Sequence, residues 1–418
     1  MKLKRHVLAL ALSSLVTPAS VWATNGYFSH GYGMKAKGMA GAATATASDT
    51  FGGANNPASM VWVGNRMDLG ADVFSPRRET SRSGGFVPGA QDSEDNYFLI
   101  PEFGFNRMIR PDLSLGVTVY GNGGMNTDYP VGTYTCVPPP PYPGNPLCGT
   151  TDLGVDLMQL MVAPTLAYKM NEQHSVGISP ILAVQRFSAY GLDAFSTISS
   201  DPSNLTNRGN DYSTGWGVRV GWMGKITDKI SLGAAYATKM RMSEFDKYKG
   251  LFAEQGDFDI PSTWSLGIAV QATPQVKLAL DYQRINYEDV KSVSNPSTGL
   301  GGPLGAANGP GFGWQNIDVW KLGVEYAYSK NLTLRAGWNH GDNPIGAADV
   351  TFNILAPGVV KDHLTLGFTY TRPNGSELTM AYMHAFKEKV TGPNGFFGGN
   401  DTIQMYQNAL GLAYSWKM

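Results

Sequence analysis

IDVWKLGVEYAYSKNLTLRAGWNH, Ile317–His340, contains two strands and the turn between them. In its first half Trp320, Leu322, Val324, Tyr326 and Tyr328 share one face, and Lys321, Gly323, Glu325, Ala327 and Ser329 the other. After Ser329-Lys330-Asn331 the period resumes, with Leu332, Leu334, Ala336 and Trp338 against Thr333, Arg335, Gly337 and Asn339. A period of two marks a strand whose faces meet different surroundings, one apolar and one polar or small.

The same pattern returns in His363–Thr371 and throughout the chain beyond Asn65. Fourteen segments carry it: 65–76, 96–109, 112–121, 154–170, 173–187, 212–227, 230–245, 259–272, 275–288, 317–329, 332–340, 362–372, 375–387 and 403–417. Long links (77–95, 122–153, 188–211, 246–258, 289–316, 341–361, 388–402) alternate with turns such as Arg110-Pro111-Asp112, Thr273-Pro274 and Pro373-Asn374-Gly375. An even strand count with alternating long and short connections predicts an all-β, fourteen-stranded antiparallel transmembrane β-barrel, both mature termini on the periplasmic side. Trp216, Trp222, Tyr236, Tyr282, Trp320, Tyr328, Trp338, Tyr370, Tyr414 and Trp416 gather near strand ends, the placement of interfacial girdles. A secreted soluble β-protein would spread its aromatics along the strands instead.

Composition agrees with a membrane barrel. Of 418 residues 51 are Gly, charged residues make up 16%, and the net charge of −1 argues against a nucleic-acid partner. Met1–Ala23 reads as a signal peptide for the bacterial outer-membrane route. Lys2, Lys4 and Arg5 precede the apolar run Val7–Val16, and small residues stand at −3 and −1 of a cleavage after Ala23. Cys136 and Cys148 bracket a proline-rich loop and are expected to form a disulfide in an oxidising compartment. Six scattered histidines offer no metal cluster, and no nucleophile elbow or phosphate loop appears; no cofactor, metal or enzymatic role is expected.

Thr24–Gly64 stands apart. It is rich in Gly, Ala and Asn and lacks strand alternation, so by itself it fits either a linker or a separately folded insert. Here the chain resembles the FadL/TodX family of outer-membrane transporters for long-chain fatty acids and other hydrophobic compounds. The likeness rests on Asn25-Gly26-Tyr27-Phe28, Lys37-Gly38-Met39-Ala40-Gly41-Ala42 and the triplet Asn56-Pro57-Ala58. Ile260-Pro261, Leu266-Gly267, Trp320 with Leu322-Gly323, Leu334-Arg335-Ala336-Gly337 and Asn343-Pro344 extend it. The resemblance implies a signal at 1–23, an N-terminal hatch at 24–64 plugging the lumen, and a barrel at 65–418. It also implies an apolar ligand pocket, lateral release through a kinked third strand, and a hatch that gates the path.

On that basis Tyr27, Phe28, Asn56, Pro57 and Ala58 are assigned to the hatch and substrate path. The kink falls either at Gly121, Gly123 and Gly124, which otherwise only begin a loop, or near Gly116. Arg219, Lys321 and Arg335 face the lumen, where they either meet a substrate carboxylate or pair with Asp281 and Glu325. Leu251, Phe252, Phe312, Trp314, Phe396 and Phe397 either form an outer capture surface or pack among the loops. Burial of apolar area stabilises by roughly 25 cal/mol per Å², so a hydrophobic cargo gains nothing from a watery pore. The expected function is passive uptake of hydrophobic molecules, long-chain fatty acids first and aromatic hydrocarbons as the alternative. A general diffusion porin or adhesin, and then an outer-membrane enzyme, are the readings from other classes. Outer-membrane lipid and lipopolysaccharide are the expected surroundings of a monomer.

Overall fold

A computed structural model describes residues 25–137, 141–298 and 301–418; the signal-peptide assignment lies outside them. Fourteen strands close into an antiparallel barrel: β1 (Arg66–Ser83), β2 (Phe98–Arg110), β3 (Leu113–Tyr129), β4 (Leu153–Lys169), β5 (His174–Tyr190), β6 (Asp211–Lys225), β7 (Ile230–Ala237), β8 (Thr263–Gln271), β9 (Val276–Ile285), β10 (Ile317–Ala327), β11 (Leu332–Gly341), β12 (Asp362–Thr371), β13 (Glu377–Pro393) and β14 (Asn400–Lys417). Neighbours in sequence pair throughout, and β14 pairs with β1 from Arg66↔Lys417 to Ser83↔Asn400. Closure removes the free edges that a membrane cannot tolerate.

The outward face is apolar between two aromatic belts. Near the long-loop rim Trp264 packs on Tyr282 at 5.1 Å and Tyr282 on Trp320 at 4.9 Å. Near the short-turn rim Tyr326 lies 6.2 Å from Tyr328, and Tyr414 4.6 Å from Trp416. Leu322, Leu334, Leu364 and Leu366 fill the band between and are exposed on the barrel's outside. Trp320 and Tyr326 stand six positions apart, about 20 Å along the strand.

Several strands outrun the alternating pattern. β1 reaches Ser83, β3 Tyr129 and β13 Pro393, and the expected long link 388–402 shrinks to 394–399. These extensions, such as Arg77-Arg78-Glu79-Thr80, have no lipid-facing side and so lack an apolar face to read.

Asn25–Val61 lies inside the barrel, and no residue in it is exposed. It holds a one-turn helix, α1 (Met34–Lys37), and 3₁₀ turns at Phe51–Gly53 and Pro57–Trp62. Glycines on the inner wall let it approach. A side chain at Gly104 would strike Thr50, at Gly116 Met60, at Gly177 Pro57 and Ala58, and at Gly221 Asn56. At Gly233 and Gly267 it would strike Thr44, at Gly323 and Gly337 Met39, and at Gly411 Met34. Several of these glycines are cross-strand partners: Gly177↔Gly221, Gly233↔Gly267 and Gly323↔Gly337. Backbone against backbone is how a small-residue segment packs closely inside a barrel.

Inward carboxylates then hold the plug. Lys35 Nζ lies 2.6 Å from Glu377, and Lys37 Nζ 3.0 Å from Asp72 and 3.6 Å from Glu102. The Ala43 and Thr44 amides both donate to Asp281 at 2.8 Å, and Thr50 donates to Asp68. Breaking one partner of such a buried pair typically costs ~3–5 kcal/mol.

Candidate functional site

Above the hatch the lumen is filled by one apolar cluster that runs from Tyr27 and Phe28 up into the long loops. Its outer end is a pocket walled by Leu192, Phe195, Leu205, Phe252, Phe312 and Phe352. Its inner end is a second pocket walled by Tyr27, Phe74, Met125, Trp314 and Met405, with Arg78 on one side. Their cavity volumes, about 30 Å³ and about 40 Å³, hold a water or two. Any larger molecule entering them would have to displace side chains, so the conformation is a closed one.

Trp314 divides the two pockets. Its neighbour-but-one Phe312 and the adjoining Leu355 face outward, while Trp314 and Ala356–Gly358 face inward. The indole is 1% exposed, and its Nε1 donates to Asn353 Oδ1 at 2.6 Å. Asn353 is pinned in turn, its Nδ2 donating to the Phe312 carbonyl at 2.6 Å and the Asp349 carbonyl at 2.8 Å. Tyr27 lies beneath, ring centroids 5.8 Å from Trp314, 5.2 Å from Tyr287 and 5.2 Å from Phe28. Such aromatic pairs bring geometric order as well as burial.

The barrel wall is interrupted beside the inner pocket. β3 pairs with β2 as far as Phe103↔Val119, then leaves it, while β2 from Phe98 to Glu102 stays on β1. β3 keeps its pairing with β4 but shifts register between Gly121↔Leu160 and Gly123↔Gln159, so Asn122 is a bulge. The result is a window between β2 and β3. Its inner side is occupied by the start of the hatch: Phe28 bridges Gly123, the Gly124 amide donates to the Tyr27 carbonyl at 3.1 Å, and Ser29 N–H donates to the Asn122 carbonyl at 3.1 Å. Tyr32 Oη donates to Asn122 Oδ1 at 3.0 Å, and Asn122 Nδ2 donates to Gln159 at 2.8 Å. Glycines on both sides of Asn122 leave room for this second backbone.

A family model described as outer membrane protein transport protein (OMPP1/FadL/TodX) matches residues 10–407. The chain belongs to that family of outer-membrane transport proteins. Among solved structures, the P. putida toluene transporter TodX superposes with a TM-score of 0.70 at 19% identity, covering 93% of this chain and 99% of that one. A Pseudomonas aeruginosa FadL homologue gives 0.69 at 17% identity, covering 94% and 99%. The Ralstonia pickettii toluene transporter TbuX gives 0.65 at 17%, covering 93% and 99%. A search of curated protein sequences finds no match. At these identities the structural likeness speaks for the fold: a fourteen-stranded barrel closed by an N-terminal hatch.

Several sequence-assigned residues converge on this region. Tyr27 lines the inner pocket, Phe28 stacks on it, and Gly121, Gly123 and Gly124 flank the bulge. Gly116 lies in unbroken pairing, opposite Asn106 and Thr165, where it receives Met60. The triplet Asn56-Pro57-Ala58 lies away from the pockets and anchors the hatch to β5 and β6. Asn56 Oδ1 caps Ala58 N–H at 3.1 Å, and its Nδ2 donates to the Thr44 and Trp222 carbonyls at 2.7 and 2.9 Å. Cys136 and Cys148 are disulfide-bonded, Cα atoms 5.6 Å apart, in the loop after β3.

The three lumenal cations separate. Arg335 is committed to Glu325 at 2.7 Å and to Thr369 at 2.7 Å, the structural alternative. Arg219 and Lys321 instead flank a small polar cavity with Asp281 and Tyr32, at hatch level below the aromatic cluster. Of the apolar loop residues, Leu251, Phe252 and Phe312 line the outer pocket, Phe396 meets Phe195 edge to face at 5.3 Å, and Phe397 lies 4.7 Å under Arg82. Trp314 is buried, not part of a surface. Sequence reasoning missed Arg78, Asn122, Asn353 and the hatch-gripping carboxylates other than Asp281, which it placed in the lumen as a partner for cations and which instead accepts from the Ala43 and Thr44 amides. Only the carboxylates left a trace, as acidic residues on the small face of their strands.

Proposed function

We propose that the protein is a passive uptake channel for hydrophobic molecules, with long-chain fatty acids as its cargo. The outer pocket captures cargo at the cell exterior, Trp314 yields, and the inner pocket passes it sideways into the membrane between β2 and β3. Both termini then lie on the periplasmic side. One observation carries this reading: the apolar lumen ends at a break in the wall, not at an aqueous exit, because the hatch fills the short-turn half. Tyr27–Ser29 cover that break from within, which makes the first residues of the hatch its gate. An apolar molecule following this route never meets bulk water, whereas a porin's route would be wet throughout.

Uptake of aromatic hydrocarbons by the same path is the second reading. The ring-lined inner pocket favours it, and the similar structures include toluene transporters. The test is uptake of radiolabelled oleate and toluene by cells lacking their own channel, with and without this protein, together with mass spectrometry of lipids that copurify. Acceleration of oleate supports the first reading and of toluene alone the second; acceleration of neither, with the barrel in the membrane, refutes both.

A further inference from the structure

The window between β2 and β3 has a cross-bar. Arg78, on the inner face of β1, is 4% exposed and lines the inner pocket. Its Nη1 donates to the Asn126 carbonyl on β3, beyond the bulge, and its Nη2 to the Asp95 carbonyl in the segment that leads into β2. One guanidinium thus ties the two banks of the window together, 5.8 Å from the Phe98 ring centroid. Among the described residues no carboxylate lies within ion-pair distance of it, and its Nε has no hydrogen-bond partner. The other lumenal arginines near the rims, Arg66, Arg82 and Arg335, each hold a carboxylate. The same banks share weaker links further out, where Glu94 N–H donates to the Asp128 carbonyl at 2.8 Å and Asp128 N–H to Ser93 Oγ at 3.0 Å.

A buried guanidinium held only by neutral carbonyls is set to exchange them for an anion. Charge-assisted, forked bonds to a carboxylate are roughly twice as strong as bonds to neutral acceptors. Apart from Asn126 and Gln407, the side chains that share the inner-pocket wall with Arg78 are apolar or aromatic (Tyr27, Phe74, Met125, Trp314, Met405), so the matching ligand is an anion on a hydrocarbon chain. Building on the uptake reading above, we propose that Arg78 is both the head-group receptor for long-chain carboxylates and the latch of the lateral window. A carboxylate arriving in the inner pocket takes over the guanidinium, frees the Asn126 and Asp95 carbonyls, and lets the banks separate. Neutral hydrocarbons bind the same pocket without drawing the latch.

The experiment compares sodium oleate with oleyl alcohol, which share a chain and differ in head group. Equilibrium binding of each radiolabelled probe is measured on the detergent-solubilised protein, wild type, Arg78→Gln and Arg78→Lys. R78Q should weaken oleate about tenfold, R78K should recover part of that, and oleyl alcohol should stay within about twofold. Nitroxides introduced by Glu94→Cys and Val131→Cys, one on each bank, should move apart with oleate and stay put with oleyl alcohol; this arm uses an intact Arg78 and needs no R78Q protein. Equal loss of both probes in R78Q, unchanged oleate binding, or label distances indifferent to oleate would overturn the latch alone. Failure of wild type to bind either probe would overturn the uptake reading and the latch with it.

Discussion

Replacing Gly177 and Gly337 together by valine should unseat the hatch while leaving the barrel standing. A Cβ at Gly177 would lie 2.4 Å from Pro57 C and 2.5 Å from Ala58 N; at Gly337 it would lie 2.5 Å from Met39 C and 2.6 Å from Ala40 N. These are backbone atoms, which cannot swing aside as a side chain can. Overpacking costs ~1–3 kcal/mol per site. β5 and β11 stand well apart around the barrel, so the two costs should add, to ~2–6 kcal/mol. At 1.4 kcal/mol per decade that shifts the docked–undocked ratio by about 30-fold to about 10⁴-fold. Planar-bilayer recordings should then show conductance steps that the wild type lacks, and trypsin should cut after Lys35 and Lys37, which are buried when the hatch is seated. Heat-modifiable gel mobility should be retained. Gly395→Val, where an added Cβ meets nothing within 4 Å, is the control. A double variant as tightly sealed and as trypsin-resistant as wild type would refute the idea that the glycine belt seats the hatch.

Trp314→Ala should join the two pockets and admit bulkier cargo faster, at ~3–5 kcal/mol of stability; unchanged size selectivity in uptake assays would exclude the indole as the divider. Deleting Asn122 should restore the β3 ladder and abolish uptake with surface expression intact, and undiminished uptake would show that the exit lies elsewhere. Burial, with His363, Lys37 and Lys321 nearby, holds His30 well below the usual histidine range. Its contribution to hatch docking is therefore complete above the unfolded value of about pH 6.5 and declines as pH falls below it, by up to ~1.4 kcal/mol per unit. Asp49, pushed up to about 6 by burial and by Asp68, opposes this between about pH 6 and pH 4. The measurement is accordingly the difference between wild type and His30→Asn in tryptic release of the hatch at pH 7 and pH 5, which should narrow on acidification; a constant difference would clear His30.

Much of the architecture is legible in the chain because lipid imposes one rule on every strand. Leu322, Leu334 and Leu366 face outward for the same reason, and the period of two follows. The lumen imposes no such uniform rule. Gly177 and Gly337 read only as small residues on an inner face, because what makes them necessary is a segment more than a hundred residues away. Arg78 lies in a run, Arg77-Arg78-Glu79-Thr80, whose two faces are both polar, so it reads as loop. Asn122 is hidden for a related reason: its glycine neighbours look like the end of a strand, and the strand continues past them. Trp314 looks like a surface aromatic until Asn353, 39 positions on, is seen to hold it.

The backbone contacts of Tyr27–Ser29 with Asn122–Gly124 make the hatch a missing rung of the wall. At this depth a peptide group that loses its partner finds no water, and each such loss costs several kcal/mol. The hatch and the break in the wall are therefore coupled. Withdrawal of the hatch bares the edge of β3, and spreading the window strips the hatch of its own partners. Neither movement is cheap without the other, so the lumen and the wall are closed together in this structure. On the proposed uptake route, a cargo would have to drive both movements at once, and solutes that cannot do so would be turned away.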